Sequence, residues 1–116
     1  MNTVATIIGQ EQTPAIEMDD EGFVTSINNT FEKKLGWTRQ DLIGKPLTTI
    51  IPPAMRDVHA IGFSRFLSTE KPTLLNKPLQ LTVQLKDGRV VKAEHIITAE
   101  KLDGRWRFAA TIKPEA

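Results

Sequence analysis

The last third of the chain, "PLQLTVQLKDGRVVKAEHIITAEKLDGRWRFAATI", alternates apolar and polar residues through three runs. Strict alternation sorts side chains onto the two faces of an extended ribbon, so this stretch demands strands. Its two interruptions, "KDG" and "LDG", each supply the glycine that a tight hairpin needs. Three consecutive antiparallel strands follow, and whatever precedes them has to cover at least one of their faces. A further hairpin signal lies upstream in "AIEMDDEGFVTSIN", two short alternating runs joined by a polar turn that ends at Gly22.

The segment between the two strand groups reads as helical. Asn28 and Asn29 can cap the helix "NTFEKKLG", which Gly36 ends. Thr38 and Asp41 form a capping-box pattern that opens the one-turn helix "RQDLIG". Pro53 stands near the start of a longer helix, where its missing N–H costs nothing, and the pattern predicts that helix from about Ala54 to Ser68. "TVATIIG", near the N-terminus, is apolar on one side and reads as a helix or cap lying against the domain. Strands on either side of a helical insert imply an α+β fold: a five-stranded antiparallel sheet with several short helices and one long helix on one face.

A length of 116 residues suits one domain with a modest core. Residues 1–13 read as a cap, 14–113 as the domain and 114–116 as a tail. A net charge of +1 argues against direct nucleic-acid binding, which normally uses a basic stripe. The chain has no cysteine, which excludes disulfides, thiolate zinc, cysteine nucleophiles and flavin–cysteinyl photochemistry. No apolar run approaches the roughly 18 residues of a membrane span, and "MNTVATIIGQEQ" lacks the features of a signal peptide. A cytoplasmic location is the expectation.

The order of elements, the stretch "DDEGFVTSINNTFEKKLGWTRQDLIGKPLTTIIPP" and the closing three-strand meander resemble a PAS domain. The resemblance rests on Asp20, Gly22, Asn28 or Asn29, Phe31, Gly36, Trp37, Thr38, Leu42, Ile43, Gly44 and Lys45, and covers roughly residues 14–112. It implies a sensory or interaction module of a signal-transduction protein, with a histidine kinase, diguanylate cyclase or similar effector attached or acting as partner. It also implies a homodimer through the N-terminal segment and the sheet. The sequence supports the same idea: Val90, Ile96, Thr98, Ala109 and Thr111 lie on the sheet face away from the helices, and "TVATIIG" or a second copy would cover them.

"MRDVHAIGFSRF" carries the sharper question. At 100° per residue, Met55, Val58, His59, Gly62, Phe63 and Phe66 share one side of the long helix, with His59 near its centre. Gly62 would leave room beside the imidazole. An apolar wall with one nitrogen donor suits a haem iron. The resemblance extends to oxygen-sensing haem kinases, and on it His59 would be the axial ligand of haem b. Those sensors place an arginine early in the next strand, where this chain has Leu79.

Period two also puts Val91, Ala93, His95 and Ile97 on one strand face, which turns His95 inward. The expected pocket is therefore lined by Met55, Val58, His59, Gly62, Phe63, Phe66, Leu79, Leu81, His95 and Ile97. It would hold a small ligand or haem, clamped or capped by the two imidazoles. The alternative is a cofactor-free dimerisation or docking module in which His59 bonds a backbone carbonyl and fixes the helix.

Three other features have plain explanations. Asp19, Asp20 and Glu21 read as a solvated turn rather than a metal site. Arg105 and Arg107 alternate with Trp106 and Phe108, so they point away from the aromatics and make no stacking platform. No nucleophile–base pair can be assembled, which argues against an enzyme.

Overall fold

The computed structural model describes residues 3–69 and 76–115. Met1, Asn2 and Ala116, which belong to the expected cap and tail, lie outside the described residues. Five strands form: β1 (Ala15–Asp19), β2 (Val24–Ile27), β3 (Leu79–Gln84), β4 (Val90–Leu102) and β5 (Arg105–Pro114). They make one antiparallel sheet in the order β2-β1-β5-β4-β3, so the first hairpin docks beside the last strand. The α+β class expected from the alternation is what forms.

The helices are α1 (Val4–Gly9), α2 (Asn29–Leu35), α3 (Arg39–Leu42) and α4 (Arg56–Thr69). The Asn28 side chain caps α2 by accepting the Phe31 N–H. Gly36 ends α2 at φ 84°, and a Cβ there would meet Lys86 Cβ at 3.2 Å, so the turn needs glycine twice over. Thr38 and Asp41 complete the capping box that opens α3. A 3-10 turn, Pro53–Met55, leads into α4.

Register decides which side chains meet. Ile16 lies opposite Ile27 on one side and Ala110 on the other, and His95 lies opposite Leu79 and Ile112. Phe31, Leu35, Trp37, Leu42 and Ile50 cover this face and bury Ile16, Val24, Ile27, Val83, Ala93 and Ile112. Trp37 satisfies its indole N–H on the Gln84 carbonyl at 2.9 Å, fastening the helical layer to β3.

The other face is covered by α1, whose Val4 and Ile7 pack on Ala15 and Ala109. Of the two covers that the exposed apolar face could have taken, the chain's own N-terminal segment supplies one. Asn28 ties the two layers together. Its Oδ1 accepts from Ala15 N and Phe31 N, and its Nδ2 donates to the carbonyls of Gln10 and Thr13. Oδ1 accepts twice and Nδ2 donates twice, which is why a buried amide is tolerated.

Candidate functional site

The site is the space between α4 and the helical face of the sheet. On β5, alternation sends Trp106 and Phe108 to that face and Arg105 and Arg107 to the other. Phe63 meets Phe108 edge-on at 5.3 Å between ring centroids. Phe66 meets Trp106 at 5.0 Å and Phe108 at 5.4 Å, also edge-on. Such edges set positive ring rims against negative faces, worth about 0.5–1.5 kcal/mol per pair beyond burial. Phe63 also reaches the β1–β2 turn, since a Cβ on Gly22 would lie 3.5 Å from its ring.

The rest of α4 is loosely held. None of its fourteen residues is buried. His59 is half-buried and stacks on Phe63, ring centroids 6.2 Å apart and planes within 16°. Val58 is 62% exposed and Met55 42% exposed, although the helical count placed both on the inner side. Gly62 is exposed too, and a side chain there would enter open space, so the gap it leaves faces solvent rather than the sheet.

The discrepancy has a physical reason. The wheel fixes which residues share a side but not which side meets the sheet. The large Phe63 and Phe66 rings settle that by docking on Phe108 and Trp106. The stripe that faces inward is thereby His59, Phe63, Phe66 and Leu67, rotated away from Val58.

On the sheet, the expected residues share one face. Leu79 lies opposite His95, and Leu81 opposite the buried Ala93. His95, Ile97 and Leu79 are half-buried, while Leu81 stays 40% exposed. Leu79, Leu81, His95 and Ile97 are therefore gathered on the sheet, and His59, Phe63 and Phe66 on the helix. Met55, Val58 and Gly62 do not join them.

Desolvation holds both imidazoles below the ordinary histidine range, favouring the neutral form. For His95 a bond to the Ala93 carbonyl works weakly in the opposite direction. That bond, 3.1 Å from Nδ1, also selects the tautomer: a carbonyl only accepts, so Nδ1 donates and Nε2 is left as an acceptor. No hydrogen bond joins His59 to His95 among the described residues.

Haem does not fit this arrangement. An axial histidine is normally oriented by a second hydrogen bond from its other ring nitrogen, and His59 has none among the described residues. Neither of two surface cavities, of about 410 and 320 Å³, is lined by His59 or His95. The space under the second half of α4 is filled by aromatic rings.

The larger cavity is a feature that the sequence did not disclose. It lies between the β1–β2 and β4–β5 turns, lined by Asp19, Asp20, Thr25, Arg105, Trp106 and Arg107 among others. Arg105 grips Asp20 with two nitrogens, at 2.7 and 3.1 Å, and holds its carboxyl below the usual range. Arg105 and Asp20 lie 85 positions apart, and no local pattern announces such a pair. The acidic triplet is a turn: Asp19 Oδ1 accepts from the backbone N–H groups of Glu21 and Phe23. Among the described residues no three metal-ligating side chains cluster, and no helix is long and apolar enough to cross a membrane.

Comparison with known proteins agrees with this fold. A family model described as the PAS fold matches residues 3–99. An uncharacterized protein of Azorhizobium caulinodans is 32% identical over 99 residues, 84% of this chain but 14% of that protein's length. Among solved structures, a PAS domain from Desulfitobacterium hafniense superposes with a TM-score of 0.68 at 23% identity, covering 90% of this chain and 93% of that one. A PAS domain of an HTR-like protein from Haloarcula marismortui gives 0.68 at 17% identity, covering 96% and 87%. One from a two-component sensor histidine kinase gives 0.68 at 14%, covering 89% and 85%.

Proposed function

The chain belongs to the PAS family, and on that premise we propose that it is a sensory input module that takes a small, largely apolar molecule between α4 and the β3–β4 end of the sheet. The observation that carries this reading is the state of α4. It is a fourteen-residue helix with nothing buried, held to the sheet by ring contacts on β5, while the inward-facing residues of β3 and β4 are themselves half-exposed. Closing α4 over Leu79, Leu81 and Ile97 would remove apolar area from water, at roughly 25 cal/mol per Å². A molecule that fills the gap favours the closed form by its differential affinity for it. His95 Nε2 offers such a molecule one directional acceptor, and neutral His59 a second polar contact.

The output side of this proposal is α1. It rests on Ala15 and Ala109 of the strands whose other face α4 covers, and Glu100 of β4 accepts its Val4 N–H at 2.6 Å. A shift of β4 or β5 under α4 therefore reaches α1 through two kinds of contact. An attached effector, of the sensor-kinase kind seen in one structural neighbour, would read that shift. The much greater length of the Azorhizobium relative supports a modular setting. The filled aromatic cluster favours a second reading, a cofactor-free docking domain.

A thermal-shift screen with small aliphatic and aromatic compounds separates the two. A binder at about 100 times its Kd adds about 2.7 kcal/mol, enough to raise Tm by several degrees. The rise should vanish in Leu81→Trp, which fills the gap. An unchanged Tm across the panel removes the ligand reading in favour of docking. Haem added to the protein should keep the Soret absorption of free haem, with no shift from histidine ligation.

A further inference from the structure

His95 narrows what the space beside α4 can hold. Its Nδ1 donates to the Ala93 carbonyl at 3.1 Å, which leaves Nε2 as a lone-pair acceptor. Nε2 carries no bond among the described residues. The residue lies opposite Leu79 of β3 and Ile112 of β5, so this acceptor stands in an apolar setting. Burial favours the neutral ring, yet the residue is only half-buried and stays within reach of an incoming molecule.

Charge is missing from the same space. On the face of β3, β4 and β5 that α4 covers, His95 and Lys101 are the ionisable strand residues. Lys101 lies over the Trp106 ring at 5.9 Å. It is six residues along β4 from His95, about 20 Å at the rise of a strand. Lys77, in the bend before β3, is exposed. On α4, Arg56 turns back to the Thr48 and Ile51 carbonyls, and Asp57 and Arg65 are exposed on the side away from Phe63. A carboxylate or an ammonium beside His95 would therefore meet no counter-ion inside the space among the described residues, and an unpaired charge is costly to bury.

We infer that the ligand is uncharged and brings one hydrogen-bond donor, an alcohol or phenol hydroxyl on an apolar body, which it gives to His95 Nε2. This rests on the ligand site proposed above and names the chemistry that the site selects. A ketone or an ether offers acceptors alone, so it would leave Nε2 unpaired once α4 closes. A hydroxyl also keeps a lone pair to spare, which a ring N–H of His59 can meet, since that imidazole has no bond of its own among the described residues. One orphaned buried acceptor is worth about tenfold in affinity or more.

Two matched sets of probes test this by titration calorimetry of the whole chain at neutral pH. One is cyclohexanol with cyclohexanone, cyclohexanecarboxylate and cyclohexylammonium; the other is phenol with anisole and benzoate. Each hydroxyl compound should bind about tenfold or more tighter than its ketone or ether partner, and the ions should not bind. In His95→Leu that advantage should vanish while the ketone and ether keep their affinity. Leu81→Trp should abolish binding of every probe. Nitrogen NMR of the free protein should find the His95 proton on Nδ1.

A ketone or ether that binds as tightly as the hydroxyl compound, an ion that binds best, or a preference that survives His95→Leu overturns this inference and leaves the ligand site standing. A proton on Nε2 does the same. Binding by none of the probes overturns both. The matched sets and the tautomer need no variant, so they decide even if His95→Leu does not fold.

Discussion

α1 lies on one face of the sheet and α4 on the other, alongside α2 and α3, and the shorter of the two is the better fixed. α1 has six residues, yet Val4 and Ile7 are buried, Thr3 and Thr6 complete a capping box, and Glu100 holds its first turn. α4 has fourteen, none buried, with Val58 at 62% and Ile61 at 60% exposure. Helix length contributes little by itself, since an isolated helix below roughly 12–15 residues is marginal and packing supplies the rest. On packing grounds the α4 side is expected to open locally before the α1 side, which makes it the mobile side of the pair.

Breaking the fixed side should cost most. Asn28→Ala deletes the amide that serves Ala15, Phe31, Gln10 and Thr13, and should lower stability by roughly 3 kcal/mol through its orphaned buried partners. Chemical denaturation measures this, and a loss below about 1 kcal/mol would contradict the bridging role. On the mobile side, Phe66→Ala removes the ring between Trp106 and Phe108. A global loss of about 1–2 kcal/mol is expected, less than for a fully buried phenylalanine. Amide exchange in α4 should accelerate far more than in α1, and equal acceleration in both would erase the contrast.

The imidazoles sharpen the comparison through pH. Both folded-state values lie below the unfolded value of about 6.5, so the unfolded chain binds protons first as pH falls. The histidine contribution to stability is therefore level above that value, declines below it and levels off once the folded values are passed. Urea titrations between pH 8 and about 4.5 should show the decline, and His59→Phe with His95→Leu should remove most of it. The smallest effect belongs to Val58→Ala, expected within about 0.5 kcal/mol because the side chain is already in water. A larger loss would mean that α4 spends its time packed on that face.

Much of the fold was legible because its signals are local. "KDG" and "LDG" specify their hairpins through glycines at φ 94° and 80°, and Asn28, Thr38 and Gly36 cap within a few residues of themselves. The inward turn of His95 followed from period two alone. The candidate site was legible only in part. His59, Phe63 and Phe66 do face the sheet, but Met55, Val58 and Gly62 do not, because a helical wheel carries no information about which neighbour its stripe will meet.

Residue order along short stretches thus dictated the strands, the turns, the caps and the family pattern, since each depends on steric and bonding preferences that span a few positions. Three dimensions had to decide how α4 is rotated and that Arg105 reaches Asp20. Those outcomes are contests between contacts separated by tens of residues. They are settled by whichever rings, carboxylates and backbone groups the completed sheet brings within reach of one another.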